Sequence, residues 1–313
     1  MNCYLCRGTE LKVIKTKLRH NIKRNVFKCK SCGLVFLEPK ELDFKDYYNK
    51  EYRKLYTPVI GKALSSKQVF DIYLPFQQKR IDEIKEILNK GMRVLEIGCS
   101  AGFFLYALKN HVKECVGIEF NKEDAKFVNE ELGIKVYTES IENTGIPQNY
   151  FDIVIMHFVL EHLNDPIKFL KTISKYLKDS GYIYIKVPNI QDSLLSVYHV
   201  KAYSDFWFRE PHIYYFSSKT LLKVVGEAGF TGDIKTVQEY NFINQLNWIL
   251  TGKPQRSADI GMSEPVLVTS DSAPPIKKDF NEWMQKVNKE YIKLLNKHDI
   301  GESILFIGKK RRK

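Results

Sequence analysis

The sequence has no long uninterrupted apolar segment. A membrane-spanning helix needs about 20 mainly apolar residues, and no window of the 313 residues comes near that length. The first residues, Met1 to Tyr4, lead into polar sequence without the apolar core of a secretion signal. We therefore expect a soluble, cytoplasmic protein with no membrane span, in which any membrane contact is peripheral and made through basic ends.

Acidic residues are scarce at both ends of the chain. Residues 1–40 hold ten lysines and arginines against two glutamates, and residues 309–313 are all basic. Because the whole chain carries a net charge of +12, its central part is almost neutral. Basic ends on a neutral body favour an anionic partner, which is nucleic acid, a nucleotide-diphosphate substrate or an acidic membrane surface. A solvated basic surface without a partner is the alternative.

Cysteine is also uncommon, but four of the six cysteines are patterned. Cys3 and Cys6 form one C-x-x-C, and Cys29 and Cys32 form a second that Gly33 follows. Paired motifs of this kind present four thiolates to one Zn²⁺, and disulfides are the poorer explanation in a protein without an export signal. Since all four ligands are cysteine, the predicted zinc is structural, and residues 1–40 are predicted to form a zinc ribbon. Cys99 and Cys115 are expected to be buried in strands.

The ribbon is followed by a predicted helical connector over residues 41–90. Its first part is aromatic, with Phe44, Tyr47, Tyr48, Tyr52 and Tyr56. Apolar residues then recur at helical spacing from Ser65 to Asn89, which predicts one amphipathic helix.

From residue 91 to 313, apolar runs alternate with helical patterns. Strands are predicted at 94–97, 115–118, 135–137, 153–156, 182–187 and 303–307, and helices at 102–110, 122–132, 166–177, 219–228 and 278–296. This rhythm predicts an α/β domain with a Rossmann-like, mostly parallel sheet and helices on both faces. Residues 251–275 lack periodicity and are predicted to be a loop, within a lid or insert at about 240–300.

A small-residue loop follows the first of these strands. It reads Gly98-Cys99-Ser100-Ala101-Gly102 and opens a helix, so free backbone N–H groups can face a ligand. Glu119 ends the next strand, where a carboxylate can accept both ribose hydroxyls of an adenosine cofactor. A nicotinamide enzyme satisfies the same geometry, but it would normally have G-x-G-x-x-G, and Ser100 occupies the second glycine position.

Several further motifs follow in order along residues 91–230. They are Glu96 to Gly102, Tyr150 to Val154, Val159 to Pro166, Val187-Pro188-Asn189, His212 to Phe216 and Ala228-Gly229-Phe230. Together they closely resemble the class I S-adenosylmethionine (SAM) dependent methyltransferase family. The resemblance implies a SAM-dependent enzyme with a seven-stranded sheet.

The resemblance also implies a cofactor site. Gly98 and Gly102 would line the methionine end of SAM, Glu119 would bind the ribose, and His157 would border the methyl group. The implied cofactor-binding residues are Glu96, Gly98, Ser100, Gly102, Phe103, Glu119, Phe120, Ser140, Ile141 and His157.

The cysteine module with its aromatic linker is similar to sugar methyltransferases of antibiotic and surface-polysaccharide pathways. Carbon-methylating members have a Glu-His pair before the Tyr-Phe, whereas here Pro211 precedes His212 and Glu210 lies one place further away. This departure slightly favours oxygen methylation of a small-molecule or glycan acceptor, including a nucleotide-linked sugar. Because imidazole is a suitable proton acceptor near neutral pH, the catalytic candidates are His212, then His157, with Glu210 and Tyr215. A structural histidine bonded to the backbone is the alternative for each imidazole.

Two rival functions have different discriminating features. An RNA methyltransferase could grip phosphates with the basic ribbon, but base-methylating enzymes commonly carry Asn/Asp-Pro-Pro-Phe/Tyr where this chain has Met156-His157-Phe158-Val159. A catalytically silent SAM-binding module is the third interpretation, and the intact Gly98 loop and Glu119 disfavour it.

Overall fold

The computed structural model describes residues 1–40, 58–271 and 273–311 and divides the chain into two units. The first unit contains Met1–Glu38, Pro188–Thr220 and Lys235–Ile304. The second contains the described parts of Pro39–Val187, Leu221–Ile234 and Leu305–Lys313. The prediction for Phe44 to Tyr56 lies outside the described residues. The three-part division at residues 40 and 90 stays a prediction.

Eleven strands and eleven α-helices lie in the described residues. The strands are β1 (Leu11–Lys17), β2 (Lys23–Cys29), β3 (Val35–Leu37), β4 (Arg93–Ile97), β5 (Glu114–Ile118), β6 (Lys135–Tyr137), β7 (Phe151–His157), β8 (Leu177–Pro188), β9 (Tyr214–Tyr215), β10 (Phe230–Val237) and β11 (Ser303–Lys310). The helices are α1 (Ser66–Tyr73), α2 (Gln77–Ile84), α3 (Phe103–Leu108), α4 (Lys122–Glu130), α5 (Pro166–Tyr176), α6 (Ser193–Ser196), α7 (Lys201–Trp207), α8 (Ser218–Glu227), α9 (Phe242–Thr251), α10 (Ala258–Met262) and α11 (Pro274–Lys297).

The larger sheet has seven strands in the order β10-β11-β8-β7-β4-β5-β6. Strands β4, β5, β6, β7 and β8 pair in parallel. Residues Ile153 to Met156 of β7 are fully buried, as expected where helices cover both faces of a parallel sheet. This confirms the predicted α/β, Rossmann-like fold class.

The helix predicted from Ser65 to Asn89 is interrupted. A short 3₁₀ turn, Leu74–Phe76, separates α1 from α2. Pro75 has no backbone N–H to donate and its ring clashes with the preceding turn, so a continuous α-helix cannot pass through it. The result is two helices in place of the single predicted one.

The smaller sheet joins β1, β2, β3 and β9 in that order. Strand β9 pairs antiparallel with β3, with Val35 opposite Tyr215. Its core includes Val26, Leu37, Phe208 and Tyr215. The cysteine-bearing segment and the segment around residue 215 therefore form one sheet in the first unit, a pairing that the sequence did not reveal.

The predicted loop at 251–275 contains helix α10. The side chain of Asn241 donates hydrogen bonds to the carbonyls of Ile260 and Ser263, and Met262 is buried. These long-range contacts stabilise a helix too short to produce a recognisable sequence period. Helix α11 begins earlier than predicted, at Pro274, because proline is well tolerated in the first helical turn.

Candidate active site

The loop between β4 and α3 has a backbone conformation that brings N–H groups to the end of the sheet. Gly98 and Gly102 have φ of 70° and 73°, and Ser100 has φ of 48°. The N–H of Gly98 donates to the carbonyl of Ile118 at 2.7 Å, which ties the loop to the end of β5. The predicted cofactor-binding residues Glu96 to Phe103 therefore all lie on this strand-loop-helix turn.

Glycine at position 98 is required by space as well as by conformation. A Cβ there would lie 2.7 Å from Cγ2 of Val159, whereas one on Gly145, with φ of 72°, would meet nothing within 4 Å. We expect Gly98→Ala to reduce the free energy of unfolding by about 1–3 kcal/mol more than Gly145→Ala, since both substitutions carry left-handed strain but only the first is crowded. Urea denaturation of the two variants measures the difference, and equal losses would contradict the crowding argument.

Glu119 connects the ends of two neighbouring strands. Its carboxylate accepts hydrogen bonds from the N–H groups of Ser100 and Asn121, both at 2.8 Å. Asn121 in turn accepts from the N–H of Asp124 and caps α4. An ionised carboxylate has two acceptor oxygens and can bind a ribose hydroxyl while it accepts a backbone N–H.

The remaining predicted cofactor-binding residues lie at or beyond the neighbouring strand ends. Phe120 follows Glu119 and is half-buried. The N–H of Glu119 donates to the carbonyl of Tyr137 at 2.9 Å, which ties the end of β5 to the end of β6. Beyond β6, Ser140 is exposed and Ile141 is buried.

Glu96 and His157 form a buried pair. Nδ1 of His157 lies 2.9 Å from Oε1 of Glu96, and only 5% and 3% of their side chains are exposed. The rings of Phe104 and Tyr184 contact the imidazole edge-on, at centroid distances of 4.8 and 5.0 Å. Within the described residues, Nε2 of His157 and Oε2 of Glu96 have no hydrogen-bond partner.

Burial decides how this pair is protonated. It raises the pKa of Glu96 to about 8, against the opposing charge of Arg80. It also lowers the pKa of His157 well below its usual range, and Arg80 and Lys186 add to that effect. At neutral pH the imidazole of His157 is therefore neutral, and its lowered pKa makes it a weaker proton acceptor than an ordinary histidine.

The raised pKa of Glu96 makes stability depend on pH. Between its ordinary value of 4.5 and about 8, the folded state holds a proton that the unfolded state has released, so the free energy of unfolding falls as pH rises. We expect the melting temperature of the cofactor-free protein to fall by roughly 3 °C more between pH 7 and pH 9 than that of Glu96→Gln. The exposed control Glu142→Gln should keep the wild-type slope. Parallel slopes for wild type and Glu96→Gln would refute the assignment.

The side chain of Glu83 in α2 supports this pair through contacts that were not predicted from the sequence. Nζ of Lys186, which is fully buried in β8, lies 3.0 Å from Oε1 of Glu83. The hydroxyl of Tyr184 donates to the other oxygen of Glu83. Glu83 therefore holds the tyrosine ring that packs on His157. The sequence signal that could have indicated this contact is a lysine, Lys186, within the apolar run Tyr182 to Val187.

The remaining catalytic candidates belong to the first unit. His212 is buried, and its ring centroid lies 5.9 Å from that of Tyr215. The Tyr215 hydroxyl donates to the carbonyl of Arg209 and accepts from the N–H of the same residue, both at 3.1 Å. The carboxylate of Glu210 lies 4.0 Å from the guanidinium of Arg24. Tyr215 and Glu210 thus have structural contacts, and their catalytic roles stay predictions.

The four patterned cysteines converge in the first unit. The sulfurs of Cys3 and Cys32 are 3.5 Å apart, as are those of Cys6 and Cys29, and all four lie within 4.8 Å of one another. Both distances are far longer than a disulfide bond of about 2.05 Å. Zn–S bonds of about 2.3 Å in a tetrahedron place sulfurs roughly 3.8 Å apart, so the cluster fits a zinc ion.

Neither Cys99 nor Cys115 belongs to that cluster. Both lie in the second unit, where Cys99 is buried after β4 and Cys115 is half-buried in β5. Burial raises the pKa of each thiol, which suits small side chains in a core. Within residues 1–40, 58–271 and 273–311, no helix is long and apolar enough to cross a membrane.

The parallel sheet, the positive-φ glycine loop and the acidic residue at the next strand end are typical of nucleotide-cofactor enzymes of the Rossmann-like class. A family profile described as a methyltransferase domain matches residues 71–233, so the chain belongs to that family. It is a SAM-dependent methyltransferase.

Curated relatives share part of the chain. An uncharacterized protein of Methanocaldococcus jannaschii is 29% identical over 161 residues. The match covers 51% of this chain and 74% of the relative's length. A ubiquinone biosynthesis O-methyltransferase of Aliivibrio fischeri is 27% identical over 105 residues, 32% of this chain and 45% of its own. The chain thus spans less than half of that enzyme's length.

Two solved structures match this chain. A phosphoethanolamine N-methyltransferase of Haemonchus contortus has a TM-score of 0.51 at 15% identity, covering 89% of this chain and 62% of its own. A SAM-dependent methyltransferase of Archaeoglobus fulgidus has a TM-score of 0.48 at 21% identity, covering 76% and 94%.

Proposed function

We propose that the protein transfers the methyl group of SAM to a hydroxyl oxygen of a sugar or glycan, in surface-polysaccharide or secondary-metabolite biosynthesis. The observation that carries this proposal is the pairing of β3 with β9. It joins the four-cysteine module to the segment that contains His212, within one sheet. That continuity supports an acceptor-binding role for the module.

Two observations support oxygen as the methylated atom. The carboxylate of Glu210 is engaged by Arg24, which disfavours the Glu-His pairing of carbon-methylating members. Relatives named ubiquinone biosynthesis O-methyltransferases share the methyltransferase domain.

SAM supplies a methyl group already activated on a sulfonium sulfur. A hydroxyl acceptor must lose its proton as the new oxygen–carbon bond forms and the sulfur–carbon bond breaks. We assign that proton to His212, because burial lowers the pKa of His157 well below its usual range and so disfavours the protonated form that a base must reach. His157 would instead position the methyl group.

Glu119 is proposed to bind the ribose, with Phe120, Ser140 and Ile141 near the adenine. We expect Glu119→Gln to weaken SAM binding by roughly 10–100-fold, since a neutral amide replaces a charge-assisted acceptor. Isothermal titration calorimetry with SAM and with S-adenosylhomocysteine measures this loss. The control Glu123→Gln, which removes the same charge from an exposed site in α4, should keep the wild-type affinity. Equal affinities for both variants would exclude Glu119 from the site.

We also propose that Cys3, Cys6, Cys29 and Cys32 hold a structural zinc ion, and that the protein works in the cytoplasm. The convergence of four sulfurs supports the first proposal. The second rests on the sequence alone.

A transfer assay with methyl-labelled SAM tests the acceptor class. We expect label in nucleotide-sugar or glycan fractions, released with the sugar as an oxygen-linked methyl group. Label in nuclease-sensitive RNA, with strongly salt-dependent binding, would replace the sugar proposal by an RNA methyltransferase. SAM binding without turnover on any fraction would favour a silent binding module.

A further inference from the structure

Strand β1 lies at the edge of the smaller sheet and carries charge of one sign. Within the described residues it pairs with β2 and with no other strand. Its seven residues contain three lysines and no acidic side chain, and only Lys15 of the three forms an ion pair, with Asp205 of α7 at 2.6 Å. Residues 1–40 hold ten basic and two acidic side chains, and a zinc ion bound by four thiolates would add about −2, which leaves roughly +6.

The hairpin of β1 and β2 places lysine opposite lysine at both of its ends. Lys12 is the cross-strand partner of Lys28, and Lys17 is the partner of Lys23. All four side chains are exposed, and none of them forms an ion pair within the described residues. Like charges directly opposite each other destabilise an antiparallel pair. The hairpin therefore contains a repulsion that a bound anion would relieve.

An irregularity in the pairing exposes two adjacent apolar side chains between these lysines. Val13 is the partner of Phe27 and Lys15 is the partner of Val26, so Ile14 is an extra residue on β1. An extra residue of this kind is a β-bulge, which re-aims the side chains around it. Val13 and Ile14 are 45% and 39% exposed.

A second copy of the chain does not fit this edge. Lysine on an edge strand prevents pairing with another strand, and β1 has no carboxylate to set opposite a lysine in any register. That protective role explains Lys12 and Lys17, but it does not explain an exposed apolar pair, because apolar side chains on an edge promote association. The partner of this edge must therefore be anionic and also offer apolar contact.

Nucleic acid lacks an apolar layer for the pair Val13–Ile14. Proteins that bind single strands stack the bases on aromatic rings, and none of the three rings in residues 1–40 is exposed. Tyr4 lies 5.2 Å from Tyr214, and Phe27 lies 6.0 Å from Phe36. An anionic phospholipid surface offers both contacts, since lysines are attracted to its charge and apolar side chains enter the acyl boundary.

We propose that the edge formed by β1 and the facing lysines of β2 binds an anionic phospholipid membrane peripherally. Val13 and Ile14 enter the lipid boundary, while Lys12, Lys17 and Lys23 contact lipid phosphates. The two kinds of contact act together, because a single weak signal gives only marginal membrane binding. This role goes beyond methyl transfer and does not depend on the identity of the acceptor.

Co-sedimentation of the full chain with lipid vesicles tests this edge without SAM or acceptor. We expect binding to mixed phosphatidylglycerol–phosphatidylcholine vesicles and none to vesicles of phosphatidylcholine alone. The double variant Lys12→Gln/Lys17→Gln should weaken the partition coefficient by roughly 25-fold, since each lysine near an anionic surface contributes about fivefold. Ile14→Ser should weaken it by about tenfold, because it removes apolar area from the lipid contact.

Two matched controls separate local from general effects. Lys85→Gln/Lys90→Gln removes the same charge from exposed sites in the second unit. Leu250→Ser removes an exposed apolar side chain from α9. Both controls should keep wild-type vesicle binding, and far-UV circular dichroism melts check that every variant folds.

The proposal fails when the wild-type chain does not bind the anionic vesicles. It also fails when vesicle binding is left unchanged by either Lys12→Gln/Lys17→Gln or Ile14→Ser, since the contact then lies elsewhere or lacks the apolar pair. Salt-dependent binding of duplex RNA that the lysine variant weakens, without binding to vesicles, would assign this edge to nucleic acid instead.

Discussion

Replacing Cys29 by serine is expected to remove the zinc and unfold the N-terminal module. Three of the four clustered cysteines are buried, and the strands around them are short. Structural zinc contributes apparent free energies of about 10–16 kcal/mol in small zinc-finger peptides, far more than such short strands can supply. Metal analysis should find about one zinc per wild-type chain and almost none bound to Cys29→Ser.

Hydrogen exchange locates the damage. Protection should be lost over β2 and β3 and also at Tyr214–Tyr215, because β9 is paired to β3. Cys115→Ser is the matched control, since that thiol lies outside the cluster. A metal-free wild-type protein that keeps full protection would refute the zinc proposal, as would mass spectrometry showing two disulfides among the four cysteines.

His212→Ala should lower kcat by about 100-fold or more while SAM affinity stays at the wild-type value. The reason is that a positioned general base contributes roughly 10²–10⁴-fold to proton removal, and His212 belongs to a different unit from the glycine loop. Labelled methyl transfer to the identified acceptor measures kcat, and calorimetry measures SAM binding.

The pH profile distinguishes a base from a structural histidine. Wild-type kcat should rise with pH through the titration of an imidazole, and His212→Gln should lose that rise even though its amide can hold a backbone contact. The exposed His111→Ala is the control and should match wild type. An unchanged pH profile in His212→Gln would show that another group accepts the proton.

The sequence predicted the fold class because its signals are local. Apolar runs such as Ile153 to Met156 indicate buried parallel strands. The loop of residues 98–102 needs positive φ angles at both ends. Glycine adopts such angles readily, so the glycines at positions 98 and 102 made the loop recognisable in the sequence. The two C-x-x-C motifs predicted a four-sulfur cluster because each motif folds as a tight turn, and the structure brings the turns together.

Other features depend on contacts between distant parts of the chain. Glu96 and His157 are 61 residues apart, and Glu83 and Lys186 are 103 apart. No local period links such pairs, so the sequence identified His157 as a candidate base without showing that burial lowers its pKa. The pairing of β9 with β3 was missed for the same reason, since a two-residue strand has no detectable pattern.

By itself, the sequence determined the α/β class, the small-residue loop of residues 98–102 and the four-cysteine cluster, because each depends on neighbouring residues that adopt one favoured conformation. Only the tertiary structure decided which module shares a sheet with the His212 segment, how the buried Glu96–His157 pair is protonated, and which side chains of β1 stay exposed. These depend on burial and long-range packing, which set the local dielectric and the partners of each side chain.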